Sequence, residues 1–194
     1  MIALVSAPLG LWGCVPGTTP VDERPKIAVI NGPTGERFIG LATAFESEAL
    51  SYGLPNFQFV SASRLRFREV RIDFTAARAA RQAALLAGSF GAELAVLVGA
   101  PVMEREIEPP ETSDAGTRWV ESALRVRVVV IDVDSAAVVH TASSQTYVGE
   151  RFEDATEPVV RVQDDPTLLE LQAFAVSELV PGVLSVLTER SRGR

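Results

Sequence analysis

Apolar positions recur along the chain with two different periods, and this pattern predicts an α/β fold. Three short apolar runs are typical of strands: residues 26–30, 57–61 and 94–100. Two longer segments repeat apolar residues at helical spacing: residues 35–52, with Thr34 as N-cap, and residues 75–90. The run at 94–100 is apolar at successive positions, so we expect a central strand covered on both faces. The chain therefore begins β-α-β-α-β.

The second half of the chain predicts a long β-hairpin and a final helix. Residues 119–133 alternate apolar and polar positions, and residues 137–147 return as the partner strand. Asp165 and Pro166 are typical of a cap and a first helical turn, and Pro181 is expected to kink the helix that follows. Two acidic segments are interpreted as loops, the first with strand character at its start: residues 101–117 and 149–164. We predict a mixed α/β (α+β) sheet with helices packed on it.

Residues 1–14 form an uncharged apolar segment that ends in the sequence LWGC. The segment is too short to span a bilayer as a helix, but it matches the apolar core of a secretory signal. Its end resembles the bacterial lipobox, in which an aliphatic residue and two small residues precede a cysteine. The resemblance implies that Cys14 is lipidated and becomes the first mature residue. Trp12 is larger than usual, and a basic start is missing, as expected if translation begins upstream.

The alternative for this segment is a buried amino-terminal strand with an inert thiol, in a cytoplasmic protein. The residues that follow favour the lipid anchor, because 15–25 are rich in proline and read as a flexible tether. The predicted organisation has four parts: a signal peptide at 1–13, a lipidated cysteine and tether at 14–25, one α/β domain at 26–190, and a frayed tail at 191–194. Val15 is not the aspartate that retains enterobacterial lipoproteins at the inner membrane. We therefore expect an outer-membrane lipoprotein that faces the periplasm.

The amino-acid composition limits the kinds of site that the protein can contain. The 194 residues are 47% hydrophobic and 22% charged, which suits one globular domain. A single cysteine excludes an internal disulfide and a cysteine-rich zinc site, and a single histidine limits acid–base chemistry. The net charge of −7 argues against a nucleic-acid-binding surface. We expect no cofactor, no metal and no nucleic-acid partner.

Four short motifs could suggest chemistry, and local structure explains each of them better. Residues 31–35 join a strand to a helix but lack the glycine pattern of a phosphate loop. His140 has no identifiable nucleophile or orienting partner, and residues 88–91 lack the spacing of a nucleophile elbow. Residues 132–135 lack the glycine and the distal glutamate of a calcium loop. No catalytic residue is assigned.

Charge is distributed unevenly along the chain. Arg64, Arg66 and Arg68 alternate, so they share one face if the segment is extended, while residues 104–114 and 150–178 are acidic. This arrangement predicts that the three arginines contact a charged partner. The alternative is a solvated face with local ion pairs.

The order of elements resembles the compact α/β domain of bacterial envelope lipoproteins. These include the penicillin-binding-protein activator lipoproteins, the curli-secretion lipoprotein family and the amino-terminal domain of the Tol β-propeller protein. The resemblance covers about residues 26 to 146, and these features carry it: the lipobox Cys14, the strands at 26–30 and 57–61 with Arg64 and Leu65, the Ala-rich helix, the sequence GAELAVLVG at 91–99, and VVVIDVDS at 128–135. The acidic segment at 104–114 and the carboxy-terminal helix depart from the pattern.

The resemblance implies a non-catalytic, membrane-tethered lipoprotein that binds or regulates cell-envelope assembly machinery through protein contacts. The alternative is an envelope enzyme or small-ligand-binding protein. Its site would lie at the carboxyl ends of the strands, beside residues 31–35 and 99–102.

Overall fold

The computed structural model describes residues 24–34, 40–53, 57–60, 77–108 and 116–192. Six strands lie within these ranges: β1 (Lys26–Thr34), β2 (Gln58–Val60), β3 (Leu94–Glu108), β4 (Thr117–Asp132), β5 (Val138–Ser143) and β6 (Tyr147–Asp154). The α-helices are α1 (Leu41–Ser51), α2 (Ala77–Gly88) and α3 (Pro166–Arg192). A short 3₁₀ turn, Val162–Asp164, leads into α3.

The strands form one mixed sheet with the order β2-β1-β3-β4-β5, and β6 also pairs with β4. β1 is parallel to β2 and β3, as expected for strands joined by helical crossovers, and the other pairings are antiparallel. β5 and β6 follow one another along the same edge of β4. β5 pairs with residues 127–131 of β4, and β6 pairs with residues 117–124. The predicted fold class is confirmed, with one strand more than expected.

Two apolar cores lie on opposite faces of the sheet. We call the face that carries α1 and α3 the inner face, and the face that carries α2 the outer face. Residues of β1, β3 and β4 alternate between the cores: Val96 and Val128 pack under α1 and α3, and Leu97 and Val129 pack under α2. α2 contributes five buried alanines, and small side chains let a helix lie close to a sheet. The central position predicted for residues 94–100 is therefore confirmed.

Helix α3 provides most of the helical side of the inner core. Its length and hydropathy over Pro166–Ser191 would suit a membrane span, but half of its most apolar part is buried inside the protein. Its apolar stripe, which includes Leu168, Ala175 and Leu187, packs on the sheet. We therefore assign α3 as a core helix. It continues as one helix through Pro181 to Arg192.

The early part of the fold differs from the prediction in its boundaries. β1 continues to Thr34 instead of ending in a turn at 31–33, and α1 begins at Leu41 instead of residue 35. Thr34 is consequently not the cap; Gly40 occupies the N-cap position, and the Asn31 carboxamide oxygen accepts a hydrogen bond from the Ala42 amide at 3.1 Å. An asparagine at a strand end can satisfy a helix amide from outside the helix, which local capping rules do not consider.

The segments interpreted as loops contain most of the remaining differences. β3 continues into the acidic segment as far as Glu108, and residues 149–154, also interpreted as loop, belong to β6. The predicted single strand at 137–147 is interrupted at residues 144–146. There the Ser144 hydroxyl accepts a hydrogen bond from the Val126 amide at 3.0 Å and donates one to the Gln145 carbonyl at 2.7 Å. A serine hydroxyl that bonds the backbone in this way competes with regular strand pairing.

Candidate functional site

The extension is our name for the part of the sheet formed by residues 102–108 of β3, 117–125 of β4 and all of β6. It begins at a register shift between Gly99 and Val102, where β3 is irregularly paired with β4. An extra residue in one strand of a pair turns every later side chain of that strand to the opposite face of the sheet. Past the shift, Arg105 pairs with Ser122 on the inner face, while Glu106 pairs with Glu121 on the outer face. The extension is therefore basic inside and acidic outside.

Three arginines and two carboxylates form a buried cluster on the inner face of the extension. Each of the three strands contributes an arginine, and β6 and the start of α3 contribute the acids: Arg105, Arg118, Arg151, Glu153 and Asp165. The Asp165 side chain is completely buried, and the side chains of Glu153 and Arg118 are each 10% exposed. Buried charges are tolerated when they are paired and hydrogen-bonded, and this cluster meets that condition.

Asp165 connects the cluster to helix α3. Its Oδ1 accepts the Leu168 amide at 3.1 Å, which is the N-cap interaction predicted from the sequence. The Arg151 guanidinium also binds both oxygens of this carboxylate, with the Nη2–Oδ2 distance at 3.0 Å, and donates to the Thr167 hydroxyl at 2.9 Å. Two-point arginine–carboxylate contacts fix orientation as well as distance. The start of α3 is thereby fixed to β6.

Glu153 holds the three arginines together from the other side. Its carboxylate accepts the Arg118 Nε at 2.9 Å, forms a close ion pair with Arg151, and lies 3.4 Å from Arg105 Nη2. Burial opposes ionisation of Glu153, but the hydrogen bonds from Arg151 and Arg118 and the charges of Arg151 and Arg105 outweigh it and lower its pKa. Burial likewise opposes the charge of Arg151, yet its bonds to Asp165 and Glu153 raise its pKa.

Arg105 completes the cluster by binding the segment that precedes α3. Its Nη1 donates to the Val160 carbonyl at 2.6 Å. Its Nε lies 2.9 Å from Asp165 Oδ2, although the N–H is not aligned for a hydrogen bond. The neighbouring Ser122 hydroxyl, buried on β4, has no hydrogen-bond partner among the described residues. The cluster therefore ties β3, β6 and the segment before α3 together, and we assign it a structural role.

The outer face of the extension presents its side chains in cross-strand rows. The middle row consists of three glutamates, Glu106, Glu121 and Glu150, on adjacent strands. The rows on either side combine acidic and apolar residues: Glu108, Trp119 and Phe152 in one, and Glu104, Ala123 and Val148 in the other. Side chains directly opposite on neighbouring strands have Cβ atoms about 5 Å apart, so like charges there repel.

This outer face carries large exposed apolar groups among its charges. Phe152 is 76% exposed and Val148 is 56% exposed. None of the five glutamates in the three rows forms an ion pair within the part of the chain that the structure describes. Helix α2 packs on the outer face of the sheet beyond the extension, in the core that includes Ala95, Val129 and Ile131. Within the described residues, this face therefore combines exposed apolar groups with carboxylates that form no ion pair, a combination typical of a contact surface.

The residues singled out from the sequence fall in two groups. Cys14, Arg64, Arg66 and Arg68 lie outside the described residues, so lipidation and the arginine contact stay predictions. His140 lies on the edge strand β5, half buried and paired with Val130.

The turn at 132–135 has the local bonding expected of a turn. Its Asp132 carboxylate accepts hydrogen bonds from the amide and hydroxyl of Ser135, at 3.0 and 2.8 Å. Residues 88–91 end helix α2, with Gly91 in the left-handed conformation at φ 69°. Among the described residues there is no group of three or more His, Cys, Asp or Glu placed to hold a metal ion.

Sequence reasoning predicted strand for residues 119–125 of the extension and strand character at the start of 101–117, but it assigned residues 149–154 of β6 to a loop. One signal for β6 is that Val148, Glu150 and Phe152 fall on alternate positions, as in a strand, while the high acidic content favours a loop. The burial pattern of β6 alternates at every position, as expected for a strand with one covered face.

Solved structures that are similar to this chain include proteins described as bacterial lipoproteins. PelC from Paraburkholderia phytofirmans, crystallised as a dodecamer, is 17% identical with a TM-score of 0.40, over 81% of this chain and 86% of that one. Lipoprotein GNA1162 from Neisseria meningitidis is 10% identical with a TM-score of 0.39, over 88% and 99%. The LpoB C-terminal domain from Salmonella enterica is 14% identical with a TM-score of 0.36, over 63% and 82%. At such values the similarity carries no conclusion about activity or partners.

No protein-family model matches the chain, and no curated protein matches it.

Proposed function

We propose that this chain is a non-catalytic lipoprotein of the bacterial cell envelope that acts by binding a protein partner. The outer face of the extension is the observation that carries the proposal. Among the described residues it presents exposed Phe152 and Val148 beside carboxylates that form no ion pair, while a buried ion cluster holds the inner face. Such a surface suits recognition of another protein.

The anchor in this proposal is Cys14. Cleavage before Cys14 and its acylation would leave residues 15–25 as a tether between the membrane and the domain. We propose that the domain faces the periplasm from the outer membrane, because Val15 follows the cysteine where aspartate would favour retention at the inner membrane. The partner would be a component of the envelope assembly machinery, bound or regulated by the tethered domain.

A second contact is proposed for Arg64, Arg66 and Arg68. Their alternation places them on one face of an extended segment, and their charge is opposite to that of the extension's outer face. Replacing all three by glutamine should weaken partner binding but leave the membrane anchor unchanged.

Membrane fractionation and intact mass of the full-length protein test the anchor. We expect the natural protein in the membrane fraction, with residues 1–13 removed and acyl chains added at Cys14. Cys14→Ser should be soluble, whereas Trp12→Ala, which gives the lipobox a more usual small residue, should stay anchored. Retention of residues 1–13 on a soluble natural protein would contradict the proposal.

A further inference from the structure

The edge of β6 that faces away from β4 is an open edge of the sheet among the described strands. β6 pairs with β4 along eight residues, and its other edge pairs with no strand within the described ranges. Its outward side chains alternate apolar and acidic: Val148, Glu150, Phe152 and Asp154. A long exposed edge strand with apolar residues is a template for pairing with another chain.

The charges along this edge oppose pairing with a second copy of the same protein in the register centred on Glu150. Antiparallel pairing of two β6 strands about Glu150 would place the Glu150 residues of the two copies side by side. It would also join two rows of three glutamates, Glu106, Glu121 and Glu150, into one row of carboxylates. Like charges on neighbouring strands destabilise a sheet, so self-pairing in this register is disfavoured.

The same pattern favours a strand of opposite charge. A strand added to β6 would continue the three rows of the extension's outer face. It would place one side chain beside Phe152, the next on that face beside Glu150, and the third beside Val148. The rows therefore fit an apolar–basic–apolar alternation, in which the basic residue relieves the glutamate row and the apolar residues cover Phe152 and Val148.

We infer that the edge of β6 binds an extended segment of a protein partner that carries arginine or lysine between two apolar residues on one face. This inference rests on the proposed function, since it names the surface and the chemistry by which the tethered domain contacts its partner. Backbone pairing with β6 provides affinity, and the alternate side chains provide specificity. Arginine suits the basic position because it can also stack on Trp119 and Phe152.

Fluorescence of Trp119 provides a direct test, because this residue lies in the outer-face row with Phe152. The protein would be the full chain with Cys14→Ser and Trp12→Phe. The sequence has two tryptophans, so the second substitution leaves Trp119 as the single fluorophore of this kind. The probe is an acetylated and amidated peptide, Thr-Val-Thr-Arg-Thr-Val-Thr, whose symmetry makes strand direction unimportant. We expect it to shift the Trp119 emission saturably, and the matched peptide with Glu in place of Arg to bind at least about tenfold more weakly.

Two controls separate strand addition from general attraction between opposite charges. The variant E106Q/E121Q/E150Q should bind the arginine peptide about tenfold more weakly, whereas E48Q/E170Q/E189Q, with the same change in net charge on α1 and α3, should change the affinity less than about twofold. A peptide N-methylated at alternate amides should lose binding. Equal weakening by both variants, or undiminished binding of the N-methylated peptide, would overturn the inference while leaving the Cys14 anchor untouched.

Discussion

Strands β3 and β4 each pass through two different environments, one inside the apolar cores and one with a charged outer face. In one half, residues 94–100 and 126–132 lie between helices on both faces, and apolar side chains fill both cores. In the other half, the extension, the described elements that pack on the sheet are α3 and the segment before it, both on the inner face, and buried ion pairs join the apolar residues there. The same hydrogen-bonded ladder continues through both. The first half thus stabilises the domain, and the second presents a surface.

Substitutions in the buried ion cluster on the inner face of the extension should lower the stability of the protein more than the other changes proposed here. Asp165→Asn would leave Arg105 and Arg151 without their shared carboxylate and should lower the free energy of unfolding by about 3–5 kcal/mol. Urea denaturation followed by circular dichroism measures the loss. The exposed neighbour Asp164 is the matched control, and Asp164→Asn should change stability by less than about 0.5 kcal/mol. Similar stability of the two variants would show that the cluster is not needed for folding.

The close approach of β6 to α3 predicts a second, smaller effect. A Cβ added at Gly149 would lie 2.5 Å from Thr167 Cγ2 and 3.4 Å from Leu171 Cδ2. Gly149→Ala should therefore destabilise the protein by about 1–3 kcal/mol, since Thr167 is also held by Arg151.

Thermal unfolding of Gly149→Ala should be compared with Gly182→Ala. A Cβ at Gly182, inside α3, meets nothing within 4 Å, so this alanine should stabilise the helix by about 1 kcal/mol. If the two substitutions change stability in the same direction, β6 and α3 do not pack as described.

Acidification should weaken the extension through Glu153. Because the arginines hold the pKa of Glu153 below its ordinary value of 4.5, the unfolded chain takes up this proton first as the pH falls. The stabilisation from Glu153 is therefore complete above that ordinary value and is lost as the pH drops towards the folded pKa. Glu153→Gln should be less stable than the natural protein at pH 7, and the difference should shrink below pH 4.5. Denaturation midpoints across this range measure it, and a constant difference would exclude the linkage.

The two halves also differ in how far the sequence predicts them. Where both faces are covered, continuous apolar residues such as Val96 and Leu97 identify the strand directly. In the extension, strand residues such as Glu106 and Glu150 are held by pairing with distant segments, and their local composition is that of a loop. The ion cluster joins residues 105 and 165, and no local pattern predicts contacts over that separation. Asp165 was predicted as a cap because that role depends on its immediate neighbours alone.

Photo-crosslinking in living cells tests the central claim most directly, namely that the outer face of the extension is the contact surface. A photoreactive benzoylphenylalanine would replace Phe152, which is 76% exposed, or Leu85 on α2, which is 77% exposed. We predict a crosslink from position 152 to a basic, extended segment of another envelope protein, and none from position 85. Equal crosslinking from both positions, or a crosslink from 152 to an acidic segment or to the chain's own residues 61–76, would contradict it.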